Sequence, residues 1–294
     1  PDGKTYTFTL RDAKWHDGSP VTADDLDFTY HLQLNKTVSR FSVGFIEVAG
    51  VADVLSGSAT RVTGFEVLDP RTFRLTLMRP VSAVLSALAL IPVVQRKQWA
   101  SMHPNDIAKS DVWRNGIIGS GPFIFSKYVP GEYVEYVPFA DYYGGKPKID
   151  KLVNRYFDDP DVALIALQKG EIDFTYVTLD QREALLSNPA IRTISGPSLN
   201  TQTIYFNRRI AAFKDRRVRQ AVMYAIDRQT LVQTLWKNQA RVGMCFFSPF
   251  GPLNAPDANP YPYDPARAQA LLKEAGVDPA GLGELELLTM YDDR

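Results

Sequence analysis

The chain of 294 residues has one cysteine, Cys245, and three histidines. A single thiol cannot close an internal disulfide, and zinc sites built on paired cysteines are excluded. One cysteine alone does not identify the redox compartment. His16, His31 and His103 stand apart, none four residues from another and none beside a cysteine. The convergence of ligands that a metal or catalytic site needs is therefore missing. Net charge is missing too, since 33 basic residues balance 33 acidic ones. No global field draws the chain to nucleic acid or to an anionic membrane. No apolar run reaches the roughly 18 residues of a membrane-spanning helix. There is no Gly-x-Ser-x-Gly elbow and no nucleophile paired with a base. Internal repeats and low-complexity tracts are absent. The chain opens at Pro1-Asp2-Gly3, with no initiating Met and no signal peptide, so the natural N-terminus is expected upstream.

What is present is a folding composition. Hydrophobic residues make up 45% and aromatics 12%, with 14 Tyr, 16 Phe and 20 Pro. That suits a folded, loop-rich protein, either one large domain or two to three smaller ones. Tyr6, Phe8 and Leu10 alternate with threonines, the period of a half-buried strand. Trp15 to Pro20 is a turn, in which His16 is expected to hydrogen-bond beside Asp17. Thr22 caps a helix whose Leu26, Tyr30 and Leu34 recur at helical spacing, to about Asn35. Residues 65–68 and 72–77 read as a hairpin about Asp69-Pro70-Arg71. Ser82 to Leu90 reads as a short buried helix.

Further on, residues 123–128 and 133–138 read as a second hairpin about Pro130-Gly131. Asp159-Pro160 opens a helix that Gly170 stops. Ile172, Phe174 and Tyr176 alternate as a strand, and residues 203–207 read as another. Asp215 caps a helix with Val218, Val222, Ala225 and Ile226 on its apolar face. Asp264-Pro265 opens a helix closed by Gly276, and residues 284–290 read as a last strand. Strands alternating with helices imply an α/β layer.

The order of parts from Gly119 to Asp173 resembles the extracellular solute-binding proteins of ABC importers, in the peptide/nickel class known as family 5. The carriers are Gly119-Ser120-Gly121-Pro122-Phe123, Asp141-Tyr142-Tyr143-Gly144-Gly145-Lys146-Pro147 and Lys169-Gly170-Glu171-Ile172-Asp173. Three other segments agree, in family order. One runs from Gly3 through Leu10-Arg11 and Trp15-His16-Asp17-Gly18 to Thr22-Ala23-Asp24-Asp25. The next holds Tyr205-Phe206-Asn207, Phe213-Lys214-Asp215-Arg216-Arg217-Val218 and Tyr224-Ala225-Ile226-Asp227-Arg228. The last is Tyr263-Asp264-Pro265-Ala266-Arg267-Ala268 with Leu271-Leu272-Lys273-Glu274-Ala275-Gly276.

The resemblance implies an α/β chain of the two-lobed periplasmic-binding-protein-like fold, type II, peptide class with an extra domain, and mixed β-sheets flanked by helices. Residues 1–119 would be the extra domain, 120–200 part of the first ligand-binding lobe and 201–294 the start of the second. Family members are longer at both ends, so the chain reads as the middle of such a protein. The acidic anchor for a peptide's amino group is then expected beyond Arg294. The implied function is capture of a peptide or similar solute in an inter-lobe cleft and delivery to the permease subunits of an ABC transporter, without catalysis. Nickel complexes, oligosaccharides and opine-like compounds are other family solutes. No cofactor, metal or nucleic acid is implied. The expected protein is a monomer, periplasmic or extracellular, at the membrane only through the permease or a lipid anchor. A ligand-sensing domain of a transcription regulator is an alternative built on the same module. A hydrolase would need a catalytic constellation that is missing.

The resemblance also points to ligand contacts. Phe41 and Phe45 follow the first helix, where the extra domain offers a ring. Asn200, Tyr205 and Asn207 flank the entry to the second lobe. Phe246, Phe247 and Ser248 lie in a loop that lines the cleft in family members. Aromatic walls with few polar anchors suit a pocket, although large apolar side chains are more often simply buried. Gly119-Ser120-Gly121 lacks the following helix that a phosphate loop needs and reads as a tight crossing between domains. Asp158, Asp159 and Asp161 resemble paired carboxylates but fit a helix start better. Arg208, Arg209, Lys214, Arg216, Arg217 and Arg219 form a basic cluster. It reads as a solvated face with ion pairs, or as a surface touching the transporter.

Overall fold

The computed structural model describes residues 2–35, 37–38, 47–196, 198, 200–243, 245, 247, 261–282 and 285. The chain divides into two units, Pro1–Asp158 and Asp159–Arg294.

In the first unit the Thr-aromatic alternation becomes β1 (Thr5–Thr9), and the expected hairpin becomes β2 (Phe65–Asp69) and β3 (Thr72–Thr76). They form an antiparallel sheet in the order β1-β3-β2, with Phe8 opposite Phe73 and Phe65 opposite Leu75. Phe73 is buried between two rings, Phe8 at 4.9 Å and Phe65 at 5.2 Å. Helix α1 (Ala23–Gln33) lays Tyr30 against Phe65 at 5.2 Å. The core gathers Tyr30, Leu34, Val62, Phe73 and Leu75, with Val51 from α2 (Val51–Ser56) and Val84 from α3 (Val84–Ala89). Each such side chain stabilises the fold by about 1.5–3 kcal/mol. Gly64 is required where β2 begins. A Cβ there would lie 2.5 Å from Thr76 O, and Gly64 N–H donates to Ala49 O at 2.7 Å.

The turn at 15–20 is held from a distance. Asp17 and His16 make no hydrogen bond to each other, though both are hydrogen-bonded in the turn as expected. The Asp17 carboxylate accepts from Ser19, from the Gln95 amide at 3.0 Å and from Lys97 at 3.3 Å. His16 reaches instead across 103 residues of sequence, where Gly119 N–H donates to its Nδ1 at 3.1 Å. Its Nε2 then carries the proton and donates to Gly121 O at 3.0 Å, while its backbone N–H donates to Gly119 O at 2.9 Å. The short helices α4 (Arg96–Trp99), α5 (Pro104–Ile107) and α6 (Val112–Asn115) follow, with Trp99 buried against Trp113.

The second expected hairpin is β4 (Phe123–Val129) and β5 (Tyr133–Pro138), with a register shift at Ser126. A third strand, β6 (Leu152–Arg155), was not expected from the sequence and pairs antiparallel with β5. Leu-Val-Asn-Arg is too short to show a period of two, and its pairing alone makes it a strand.

The second unit is helical among the described residues. Asp159 Oδ1 accepts from Asp161 N–H at 2.8 Å and opens α7 (Pro160–Gln168), and Gly170 ends it at φ +73°. The buried face is Ala163 and Ala166, not the Val162 and Ile165 side of the helix. Helix α8 (Leu179–Leu185) starts at Thr178, whose Oγ1 accepts from Gln181 N–H at 3.2 Å. Helices α9 (Ala211–Lys214), α10 (Arg216–Ala225), α11 (Arg228–Thr234) and α12 (Pro265–Glu274) follow, and a 3-10 turn at Pro279–Leu282 comes after them. Val218 and Ala221 of α10 are buried, as are Ala268 and Leu271 of α12, and Gly276 stops α12.

Two expected strands are absent. Residues 172–176 and 203–207 belong to no strand, and Phe174 and Tyr176 are 73% and 88% exposed. Alternation prepares a segment for a sheet, but a strand exists only when its N–H and C=O groups find a partner chain. The last expected strand, 284–290, falls outside the described residues apart from Leu285, which is in no element.

Candidate functional site

Of the residues expected to contact ligand, Phe41, Phe45, Phe246 and Ser248 lie outside the described residues. The other four are exposed in the second unit. Asn200 N–H donates to Ser198 Oγ at 3.0 Å. Tyr205 is 79% exposed, while its neighbour Phe206 turns inward onto Phe213 at 5.3 Å. Asn207 Oδ1 accepts from Arg209 N–H at 3.0 Å, and its carbonyl accepts from Ile210 N–H at 3.1 Å. Its side chain therefore shapes the turn into α9 and leaves Nδ2 available. Phe247 is 48% exposed and follows the free, exposed Cys245.

Arg228 has a positional role. It opens α11, with Nη1 donating to Gly243 O at 3.1 Å and Nη2 donating to Tyr261 O. One guanidinium thus holds both ends of the stretch that contains Phe246, Phe247 and Ser248. Tyr261 is also seated edge-on to Tyr224 at 5.5 Å. The signal in the sequence was a cation in the first turn of a helix, where the dipole disfavours it. A residue placed against that preference is answering to tertiary contacts.

Two of the three carboxylates near the start of α7 have structural partners. Asp159 caps the helix, and Asp161 Oδ1 accepts from Gln181 Nε2 at 2.6 Å. Both nitrogens of His31 are engaged: Nδ1 lies 2.8 Å from Asp27 O, and Nε2 accepts from Val62 N–H at 3.0 Å. Among the described residues no group of three His, Cys, Asp or Glu side chains is placed to hold a metal. After Gly119-Ser120-Gly121 the chain enters β4 rather than a helix, so these glycines offer no helix N-terminus to a phosphate.

A concavity of the first unit lies elsewhere. It is an open groove of about 590 Å³ on β5 and β6, lined by Tyr133, Glu135, Lys151, Val153, Arg155 and Phe157 among others. Glu135 and Lys151 pair within it at 3.0 Å, Lys127 donates to Tyr133 Oη at 3.0 Å, and Arg155 stacks on Phe157. None of the residues expected to contact ligand lines it. Its Glu135 and Lys151 satisfy each other's charge rather than facing a common ligand.

In the basic cluster, Arg217 Nη2 pairs with Asp215 at 2.7 Å, and its Nη1 donates to Glu274 O at 2.7 Å. Arg219 Nη1 donates to Phe213 O at 2.6 Å and to Lys214 O at 2.9 Å. Arg208, Arg209, Lys214 and Arg216 are exposed and make no ion pair among the described residues.

Comparison with known proteins places the chain. The pattern of the family described as "Bacterial extracellular solute-binding proteins, family 5 Middle" matches residues 1–294. A Brucella ovis protein named as an ABC transporter peptide-binding protein is 39% identical over 99% of this chain and 53% of its own length. The dipeptide-binding protein of Escherichia coli K12 is 30% identical over 94% of this chain and 53% of its own. The ABC transporter substrate-binding protein CtaP of Listeria monocytogenes superposes with a TM-score of 0.77, at 30% identity, over 95% of this chain and 55% of its own. The chain therefore spans about half the length of the relatives it matches. The fold expected from the resemblance is the one shared with these two-lobed, mixed α/β binding proteins, and the regulator alternative finds no support in the likenesses. The chain belongs to the bacterial extracellular solute-binding proteins, family 5.

Proposed function

We propose that the full-length protein is the substrate-binding component of an ABC importer, which captures a peptide or similar small solute and delivers it to a membrane permease. One observation carries this reading: the family pattern runs through all 294 residues, and relatives at 39% and 30% identity are named as peptide- and dipeptide-binding proteins. In this reading residues 1–119 are the extra domain of the peptide class, 120–200 part of the first lobe and 201–294 the start of the second. The solute is held by aromatic faces and a few polar anchors, with Tyr205, Asn207, Asn200 and Phe247 joined by Phe41, Phe45, Phe246 and Ser248. Lobe closure buries the solute and the closed complex engages the permease. The protein works outside the cytoplasmic membrane as a monomer, held there by the permease or a lipid anchor, and turns nothing over.

The test is native mass spectrometry of the full-length protein as purified, followed by calorimetric titration with di- to pentapeptides and with a nickel–histidine complex. A co-purified peptide and saturable peptide binding are expected. Binding of the nickel complex alone would move the protein to another solute class. Hydrolysis of the added peptides would overturn the transport reading.

A further inference from the structure

We propose that Arg208, Arg209, Lys214 and Arg216 form the face by which the full-length protein docks on an acidic, carboxylate-bearing surface of its permease. This rests on the reading of the protein as a permease's delivery partner and adds where the contact is made.

The chain is balanced as a whole but carries a local excess of cations here. Between Asn207 and Gln220 stand six cations and one acid, Asp215, although the whole sequence has 33 of each sign. Among the described residues one ion pair forms there. The single acid is taken by Arg217, which it holds at 2.7 Å. Arg219 is absorbed by the carbonyls that end α9. The other four cations stand exposed on the turn at 208–210, on α9 and at the first residue of α10.

Arg216 also sits where its own helix disfavours it. It is the first residue of α10, next to the N-cap Asp215, whose carboxylate accepts from Arg217 N–H and pairs with Arg217 rather than with Arg216. The helix N-terminus is itself positive, so an acid at this position would stabilise the helix and a cation opposes it. Local rules broken in this way are expected where a surface serves a partner. Carboxylates brought by that partner would relieve the repulsion among the four cations and the helix end together.

The chemistry selects the kind of partner. Three of the four are arginines, whose planar fork matches discrete carboxylates two bonds at a time. A membrane-binding surface would add exposed aromatic or long apolar side chains to its cations. Within 208–216 Ile210 is the one exposed large apolar residue, at 38%. One exposed apolar residue among several cations of the same segment is closer to a small protein contact with a charged rim.

The experiment uses the full-length protein and its own permease complex in nanodiscs of neutral lipid. Binding is measured at low and high salt for the wild type and for R208E/R209E/R216E. The change at 216 also favours the helix, so folding is not put at risk. The variant is expected to lose about tenfold in affinity for the permease at low salt, as for removal of steering charges, with a flatter salt dependence and unchanged solute affinity. The arginine-to-lysine triple variant should recover part of the loss. Unchanged permease affinity in the charge-reversed variant overturns the proposal. So does charge-dependent binding to empty anionic vesicles that equals binding to the permease. Charge-dependent permease binding by a protein that takes no peptide leaves the docking face standing and removes the peptide reading instead. A wild-type protein that ignores the permease removes both.

Discussion

Trp15 Nε1 donates to Asp25 Oδ2 at 3.1 Å, and both side chains are buried. The same carboxylate accepts from Thr22 N–H at 2.9 Å and Thr22 Oγ1 at 3.0 Å, and through Oδ1 from Arg96 N–H at 2.8 Å. One carboxylate thereby joins the first turn, the start of α1 and the start of α4. Its four donors are neutral, so it is held by hydrogen bonds rather than by a counter-ion.

Asp25→Ala is expected to be among the most damaging single changes in the first unit. It leaves the Trp15 indole N–H and two backbone N–H groups without an acceptor, each costing about 1–3 kcal/mol when buried. A loss of roughly 3 kcal/mol or more should appear in urea unfolding. A loss below roughly 1 kcal/mol would mean that water replaces the carboxylate.

Asp17 gives the fold an acid dependence. Its carboxyl is held well below the usual range, first by the Ser19 hydroxyl and then by the Gln95 amide, Ser19 N–H and Lys97, against the opposing effect of burial. A depressed folded value means that the stabilisation is fully present above the unfolded value of about 3.9 and is lost as pH falls through the folded one. Asp17→Asn should therefore flatten the acid limb of the stability–pH curve and lower stability at neutral pH. Parallel curves for the two proteins would show that Asp17 is not the source of the acid dependence.

Asp159→Ala and Asp264→Ala should each cost about 1 kcal/mol, the usual loss of a helix cap. Both carboxylates accept a backbone N–H, at 2.8 Å from Asp161 and 2.9 Å from Arg267, and both precede a proline at the first helical position. Denaturant midpoints that do not move would show that solvent caps these helices equally well.

Tyr205→Ala and Phe247→Ala in the full-length protein should weaken solute binding without lowering thermal stability. Their exposure means that little core is lost when they are truncated. Calorimetry on both variants decides the matter: unchanged affinity in each would assign these rings to a surface outside the cleft.

Much of the local structure was legible where a few neighbouring residues settle it. Asp159-Pro160 with Gly170, and Asp264-Pro265 with Gly276, mark two helices correctly because cap, proline and stop act within one turn. The two hairpins were legible for the same reason. Helix α8 carries an equally local mark in the capping pair Thr178 and Gln181. The ligand contacts were reached only through the resemblance, because an exposed ring has no pattern that separates a binding face from any other.

The chain's own residues set the alternation of β1, the caps and stops, the short motifs of the family, and the neutral charge with its basic cluster. Each of these is set by residues within a turn or two, or by composition. Tertiary structure decided that Leu152–Arg155 is a strand while the better-patterned 172–176 is not, because a strand is defined by its partner. It decided that His16 bonds to Gly119 and Gly121 and that Asp25 bonds to Arg96. It also decided which cations of the cluster are neutralised and which are left exposed. Hydrogen bonds and ion pairs are satisfied by whatever the fold brings within about 3 Å, and that distance bears no relation to separation along the chain.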